Sequence, residues 1–238
     1  MNKFLLIVLI IIIVLKYLET DITDKLIESH SRDIYYLKNF YPNKLKNKIK
    51  KIVFKNKEEK YRMNTYIRNG SSISHHQMFN TEYEDIIDIF RDARTLNIIR
   101  KKTGMNLQII PRTDPSHLSI LFYENAGDGI AWHNDNDMYE GTKWTCIYTI
   151  VNDGFNKGKS HATFKYKKNN KEYSINTEAN SLLMFKGSKI EHMISDLKKN
   201  EKRIVVSFVL CDVCSMKQNL VNYFYSKIIN FSFYGKIY

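Results

Sequence analysis

The chain opens on an unbroken apolar run, Phe4 to Leu15 (FLLIVLIIIIVL), with Lys3 before it and Lys16 behind it. That run is shorter than the ~20 residues a full membrane span prefers and nearer the apolar centre of a secretory signal. Lys16-Tyr17-Leu18-Glu19-Thr20 offers no small-residue cleavage site, however. Residues 1–18 are therefore expected to form a short uncleaved anchor with Lys3 and Lys16 snorkelling, a cleaved signal being the alternative. Lys16 and Lys25 oppose Lys3 and the amino terminus, so the orientation stays open. A signal-anchor would place the remainder in the secretory lumen or outside.

Residues 19–79 read as a Lys-rich helical linker region, with Lys44, Lys46, Lys48, Lys50, Lys51, Lys55 and Lys57 crowded after Pro42. A solvated helix face explains them, and so would contact with anionic head groups beside an anchor. A clear helical stripe follows in Thr81–Lys102, where Ile86, Ile87, Phe90, Ala93 and Leu96 share a face, Thr81 and Glu84 have capping-box spacing and Gly104 stops the helix. Then the period falls to two. Short runs rich in β-branched and aromatic residues predict strands at His117–Glu124, Trp144–Val151, Ala162–Lys167, Glu172–Asn176, Ser181–Phe185, Ile190–Ser195 and Arg203–Cys211. Asn169-Asn170 and Lys186-Gly187-Ser188 supply turns between them, and Met216–Asn230 reads as a closing helix. Helices followed by many short strands imply an α+β chain whose main domain, residues 80–238, is a β-sandwich or jelly roll with flanking helices.

Composition changes this picture little. Hydrophobic residues make up 43% and charged residues 26%, which argues against both disorder and a multi-span membrane protein. A net charge of +12 would favour anionic partners. Lys, Asn and Ile are abundant together, as an AT-rich coding sequence produces without selection for a partner, so nucleic acid is not an expected partner. Three cysteines are too few for a disulfide scaffold. Cys211-Asp-Val-Cys214 could be a redox pair or a local disulfide, but with no thioredoxin-like pattern around it, it reads as incidental.

The candidate chemistry begins at Trp132-His133-Asn134-Asp135. Positions i and i+2 of an extended chain project to one side, so an imidazole and a carboxylate can converge on one cation. Chance alone supplies on the order of 0.4 such H-x-D pairs in a chain of this composition. A second histidine is needed to complete a 2-His-1-carboxylate face, and His192, in a strand-like segment, can supply it. By itself His192 would read as a core histidine. Asp137 is a rival to Asp135, zinc is a chemical alternative to iron, and His75, His76 and His117 read as structural or exposed.

The stretches Ser119-ILFYENAGDGIAWHND-Asn136, Trp144-TCIYTIVN and Ser181-LLMFKGSKIEHMISDLKKNEKRIVVSFVL-Cys211 together resemble the iron(II)/2-oxoglutarate-dependent dioxygenase superfamily, over residues 117–211 and in the family's order. The resemblance implies a double-stranded β-helix. It implies that His133, Asp135 and His192 bind Fe(II), that Arg203 takes the distal carboxylate of 2-oxoglutarate, and that Tyr123 hydrogen-bonds the same molecule. Lys202 is the rival to Arg203, because collagen-type prolyl hydroxylases use a lysine near this place; Arg203 is preferred for its bidentate fork and because it shares a face with Val205 and Ser207. Ten positions separate Tyr123 from His133, one more than the prolyl hydroxylase and AlkB-type patterns suggest, which requires a bulge or an altered loop. The implied reaction consumes 2-oxoglutarate and O2, releases succinate and CO2, and hydroxylates a substrate, with ascorbate as an optional accessory reductant. A protein side chain, prolyl or lysyl, is the favoured substrate class, because an anchored domain would meet secreted proteins. A lipid or small molecule is an alternative. The AlkB-type demethylase reading wants a second arginine where Val209 stands. A non-catalytic membrane-anchored β-sandwich that binds a partner is the remaining alternative, and its mark would be a lost ligand.

Overall fold

The computed structural model describes residues 27–55, 60–79, 81–112, 114, 116–136, 138–155 and 158–217. The apolar run at 4–18 and nearly all of the expected closing helix over Met216–Asn230 lie outside them. Among the described residues no helix is long and apolar enough to cross a membrane.

The elements, in chain order, are β1 (Ile27–Ser31), β2 (Ile34–Leu37), α1 (Asn43–Lys55), β3 (Tyr61–Asn64), β4 (Arg68–Ser74), α2 (His75–Met78), α3 (Glu84–Arg91), α4 (Ala93–Thr103), β5 (Gln108–Ile109), β6 (Leu118–Tyr123), β7 (Gly129–His133), β8 (Lys143–Asp153), β9 (Phe164–Lys168), β10 (Lys171–Ile175), β11 (Ser181–Phe185), β12 (His192–Ile194) and β13 (Lys202–Cys211). Two antiparallel layers form, β11-β8-β13-β6 and β7-β12-β9-β10, and β4 joins them by pairing with both β6 and β7. Because β6, β8, β11 and β13 belong to one layer and β7, β9, β10 and β12 to the other, the chain passes repeatedly between them, which is the jelly-roll path.

The first layer is covered on both faces. On β13, Ile204, Val206, Phe208 and Leu210 pack outward with Ile86, Phe90 and Ile99 of the helices. Val205 points inward with Tyr123, Phe164, Leu183 and Phe185. A strand buried on both sides reads as a near-continuous apolar run rather than as an alternation, and Arg203–Cys211 has that character.

Two expectations are corrected here. The single helix expected over Thr81–Lys102 is two helices, broken at Asp92, which is extended (φ −61, ψ 138). Its carboxylate accepts from the Arg94 N–H at 2.7 Å, so an aspartate that would be neutral within one helix instead caps a second. Gly104 does end that second helix, in the left-handed region at φ 71. The helical linker expected over 19–79 contains one helix of that kind, α1, and four strands as well. Those strands are short and form two hairpins, β1 with β2 and β3 with β4, which are anchored by distant segments, β2 by β11 and β4 by β6, leaving little local period to read.

His75 and His117 are fully buried. Burial pushes their pKa values down to about 4 and about 3. Groups that bind protons more readily when unfolded make acid destabilising: the contribution is intact above the unfolded value near 6.5 and is lost as pH falls toward the folded one. Lowering pH from 7 to 5 is expected to cost about 2 kcal/mol per buried imidazole. Chemical denaturation across that range checks this, and His75→Phe should flatten the slope; an unchanged slope would count against the assignment.

Candidate metal centre

The register of β7 against β12 sets His133 directly opposite His192, with ring centroids 4.2 Å apart. Asp135 follows just beyond the end of β7, where its backbone N–H donates to the Gly187 carbonyl at 3.0 Å. Its Oδ1 lies 3.7 Å from His133 Nε2 and 3.9 Å from His192 Nε2. All three donor atoms fall within 4.8 Å of one another, and this is the one such group of three found among the described residues. Asp137 is outside those residues.

The surrounding bonds prepare these donors. His133 Nδ1 sits 2.8 Å from the Ala131 carbonyl, and His192 Nδ1 2.8 Å from that of Ile190. A carbonyl can only accept, so each Nδ1 carries its proton and each Nε2 presents a lone pair inward. Thr145 donates its hydroxyl to Asp135 Oδ2, leaving Oδ1 toward the imidazoles. Burial alone would raise the Asp135 pKa, but Lys143, His192, the Thr145 hydroxyl and His133 together hold it below the usual carboxylate range. Burial pushes His192 down, against the opposing pull of Asp135. The result is a carboxylate beside imidazoles presenting free Nε2 atoms, which a divalent cation can take without displacing protons. Phe164 and Phe185 wall His192 on its apolar side, at 5.7 and 4.6 Å, whereas His133 and Asp135 remain partly exposed. A face with one closed side and one open side suits a metal that must also bind substrates.

Sequence reading missed two supports of this face. Gly187 was legible as a turn residue, yet a Cβ there would come within 1.9 Å of Asp135 Oδ2, so only glycine lets the carboxylate pass. Thr145 carries no local signal at all; its role comes from β8 passing beneath Asp135. Loss of such an outer-shell partner typically costs about 10–100-fold in metal affinity. Thr145→Val is expected to weaken metal binding by that order while leaving the fold intact, as competition with a chelator would measure, whereas unchanged affinity would remove the hydroxyl from the account.

Deeper in the same interior, Arg203 pairs with Tyr123 across β13 and β6, its guanidinium carbon 5.6 Å from the ring centroid. Both side chains are buried, at 1% and 0% exposure. Among the described residues, the Tyr123 hydroxyl and the Nε and Nη2 of Arg203 have no hydrogen-bond partner. Among the described residues no carboxylate pairs with Arg203, and burial lowers its pKa. Arginine nevertheless keeps its charge, so the interior holds a buried cation with two donor nitrogens and a phenol that lack an acceptor among the described residues. The chemistry of that set fits a carboxylate held bidentately.

Lys202, one residue away, faces outward: its ammonium is 3.1 Å from Glu124 Oε1 and lies over the Phe54 ring. Ser207 faces inward between Ser119 and Ile147 and is partly exposed. A register irregularity lies between Ile130 and His133 of β7, opposite Ile194 and His192 of β12. Cys211 and Cys214 are not incidental neighbours, as the sequence suggested, but form a disulfide across 5.4 Å between Cα atoms. The cause is the turn after β13, which folds back on the metal loop: the N–H of Glu140 donates to Ser215 and that of Gly141 to Val213.

Solved structures of 2-oxoglutarate-Fe(II) oxygenases share this jelly-roll fold. A Burkholderia pseudomallei oxidoreductase of the 2OG-Fe(II) oxygenase family is similar with a TM-score of 0.63 at 10% identity, over 84% of this chain and 94% of that one. The non-heme alpha-ketoglutarate-dependent epimerase from nogalamycin biosynthesis gives 0.61 at 13% identity, over 81% and 84%. A Trichoplax adhaerens prolyl hydroxylase, solved with a hypoxia inducible factor peptide fragment, gives 0.55 at 16% identity, over 82% and 88%. No family model matches the chain, and no curated protein matches it in sequence. At these identities the likeness is one of fold.

Proposed function

We propose that the protein is an Fe(II)- and 2-oxoglutarate-dependent dioxygenase that hydroxylates a substrate, with a protein side chain, prolyl or lysyl, as the favoured class. The observation that carries this reading is the pairing, in one barrel interior, of a three-donor metal face with a buried arginine and tyrosine that lack an anion. A zinc structural site would explain the first and leave the second without a purpose.

In this reading His133, Asp135 and His192 hold iron, Arg203 takes the distal carboxylate of 2-oxoglutarate, and the Tyr123 hydroxyl donates to it. Ser207 lies on the same inner face of β13 and lines the chamber. Held by these residues, iron and 2-oxoglutarate would supply oxidising chemistry that splits O2, one oxygen atom going to succinate as 2-oxoglutarate loses CO2 and the other to a C–H bond of the substrate. The chain itself positions and shields. The β-branched and aromatic wall around His192 excludes water, the Nδ1–carbonyl bonds fix both imidazoles, and the Thr145 hydroxyl keeps Asp135 turned to the metal. Ascorbate serves in this reading only to restore iron oxidised without substrate.

Support for a protein substrate comes from the fold shared with a prolyl hydroxylase and from the expected anchor at residues 1–18, which would place the domain among secreted chains. The epimerase sharing the fold keeps a small-molecule substrate as the second reading. The test is succinate formation from 2-oxoglutarate by the iron-loaded full chain in detergent, with peptide, nucleic-acid and lipid panels. Failure to bind both iron and 2-oxoglutarate ends the oxygenase reading. Digestion of the carboxy-terminal domain in sealed microsomes without detergent would end the lumenal one.

A further inference from the structure

A second cluster of buried polar side chains lies outside the metal face. His75, at the start of α2, and His117, just before β6, have ring centroids 5.3 Å apart and exposures of 0% and 1%. His76 stacks on His75 at 3.8 Å and is only partly buried, so the cluster reaches the surface on that side. Arg91 donates from Nη1 to the Ile110 carbonyl at 3.1 Å, and the same atom meets His117 Nε2. An arginine only donates, so Nε2 is the accepting nitrogen of His117 and Nδ1 carries the proton. That Nδ1–H has no acceptor among the described residues. Neither ring nitrogen of His75 closes a hydrogen bond of good geometry, although the Arg112 backbone approaches it.

The local charge is positive, and Arg112 is paired with Asp88 at 3.7 Å. Arg91 and Arg112 both act on His117. Asp114, in the turn before His117, is already committed, with Oδ1 accepting from the Ser116 N–H and hydroxyl and Oδ2 from the Tyr139 hydroxyl. Buried donors beside an arginine, without an acceptor, are what an oxyanion requires.

The position gives this meaning. Along β13, Phe208 pairs with Leu118 of β6, the residue after His117, while Val209 pairs with Thr145 of β8, whose hydroxyl holds Asp135. The cluster therefore stands at the same end of the barrel as the metal face. Tyr139, in the loop that follows Asp135, reaches Asp114 in the turn that leads into His117. Hydroxyls of Ser74, Ser119 and Ser207 lie at mutually paired positions of β4, β6 and β13, giving the interior between them a polar wall.

We propose that His75 and His117, backed by Arg91, bind an oxyanion of the substrate, a carboxylate or phosphate group, beside the metal face. The word substrate rests on the oxygenase reading; the anion site does not. It narrows the substrate to molecules, peptides included, that carry such a group near the oxidised carbon.

The test uses the full chain in detergent, metal-free and labelled with 15N-histidine, titrated separately with inorganic phosphate, acetate and, as an ionic-strength control, chloride. Phosphate or acetate is expected to move the ring resonances of His75 and His117 saturably, and the tighter of the two tells a phosphate-bearing from a carboxylate-bearing substrate. His117→Phe should weaken that binding about tenfold or more, as loss of a hydrogen bond to a charged group does, while His117→Asn, which keeps an N–H near Nδ1, should largely restore it. Arg91→Gln provides a second variant if His117→Phe does not fold. Shifts that are absent, unsaturable, equal with chloride or untouched by these substitutions overturn the site. Saturable anion binding in a protein that never turns over 2-oxoglutarate would keep the pocket and sink the oxygenase reading instead.

Discussion

Alanine at His133, Asp135 or His192 is expected to abolish 2-oxoglutarate turnover, each substitution lowering iron affinity by more than the roughly 10–100-fold that an outer-shell change costs. The reason is geometric and electrostatic together. Each imidazole is locked by its own carbonyl and presents one lone pair, so no neighbouring donor can swing in to replace it. Asp135 is the sole carboxylate of the group, and without it two imidazoles would have to hold a divalent cation beside the Lys143 ammonium. Iron affinity by chelator competition and succinate yield under saturating iron separate lost binding from lost chemistry. A single alanine variant that retains wild-type iron affinity would remove that residue from the ligand set. Apoprotein stability should change little at His133, whose side chain is already 24% exposed.

The second large effect is at Arg203, where two readouts should move in opposite directions. Arg203→Leu removes the fork for the 2-oxoglutarate carboxylate and leaves that anion facing an apolar wall. Breaking a buried pair from one side costs about 3–5 kcal/mol, on the order of a hundredfold or more in affinity. The apoprotein, in contrast, loses a buried cation that pairs with no carboxylate among the described residues, and replacing buried charge by well-packed apolar volume is often neutral or stabilising by roughly 1–4 kcal/mol. Thermal melts of the metal-free protein and calorimetric binding of 2-oxoglutarate would show the two signs. Arg203→Lys should not rescue binding, because an ammonium cannot reproduce the planar fork. Lys202→Ala should have only a small effect on either readout, because its side chain is 41% exposed and pairs with Glu124. If Lys202→Ala abolished 2-oxoglutarate binding and Arg203→Leu did not, the assignment would have to be exchanged.

How much was legible follows from where each signal resides. The seven strands expected from His117 onward correspond to β6 and β8–β13, because strands that enclose an apolar interior must carry dense β-branched and aromatic residues wherever they run. The break at Asp92 was less legible, since an aspartate inside an apolar stripe fits either a solvated helix face or a cap. The four strands before residue 75 left almost no trace, because they are short and each of the two hairpins they form, β1-β2 and β3-β4, is tied into the sheet by partners far away in sequence. The Cys211–Cys214 link likewise depends on a turn made by pairing with the metal loop rather than on its own spacing.

The sequence by itself determined the donor types and their order: His133 and Asp135 two apart on an extended chain, His192 in a later strand, and adjacent Lys202 and Arg203 opening the last one. Period-two projection is a local property, so it could be read without a fold. Only the tertiary structure decided that His133 faces His192 across a strand pair, that Gly187 and Thr145 frame Asp135, and that Arg203 turns inward to Tyr123 while Lys202 turns out to Glu124. It also brought His75 and His117 together. Each of these is a contact between segments distant in the chain, fixed by register and by the cost of burying charge and polar groups, and neither is written in any one stretch of residues.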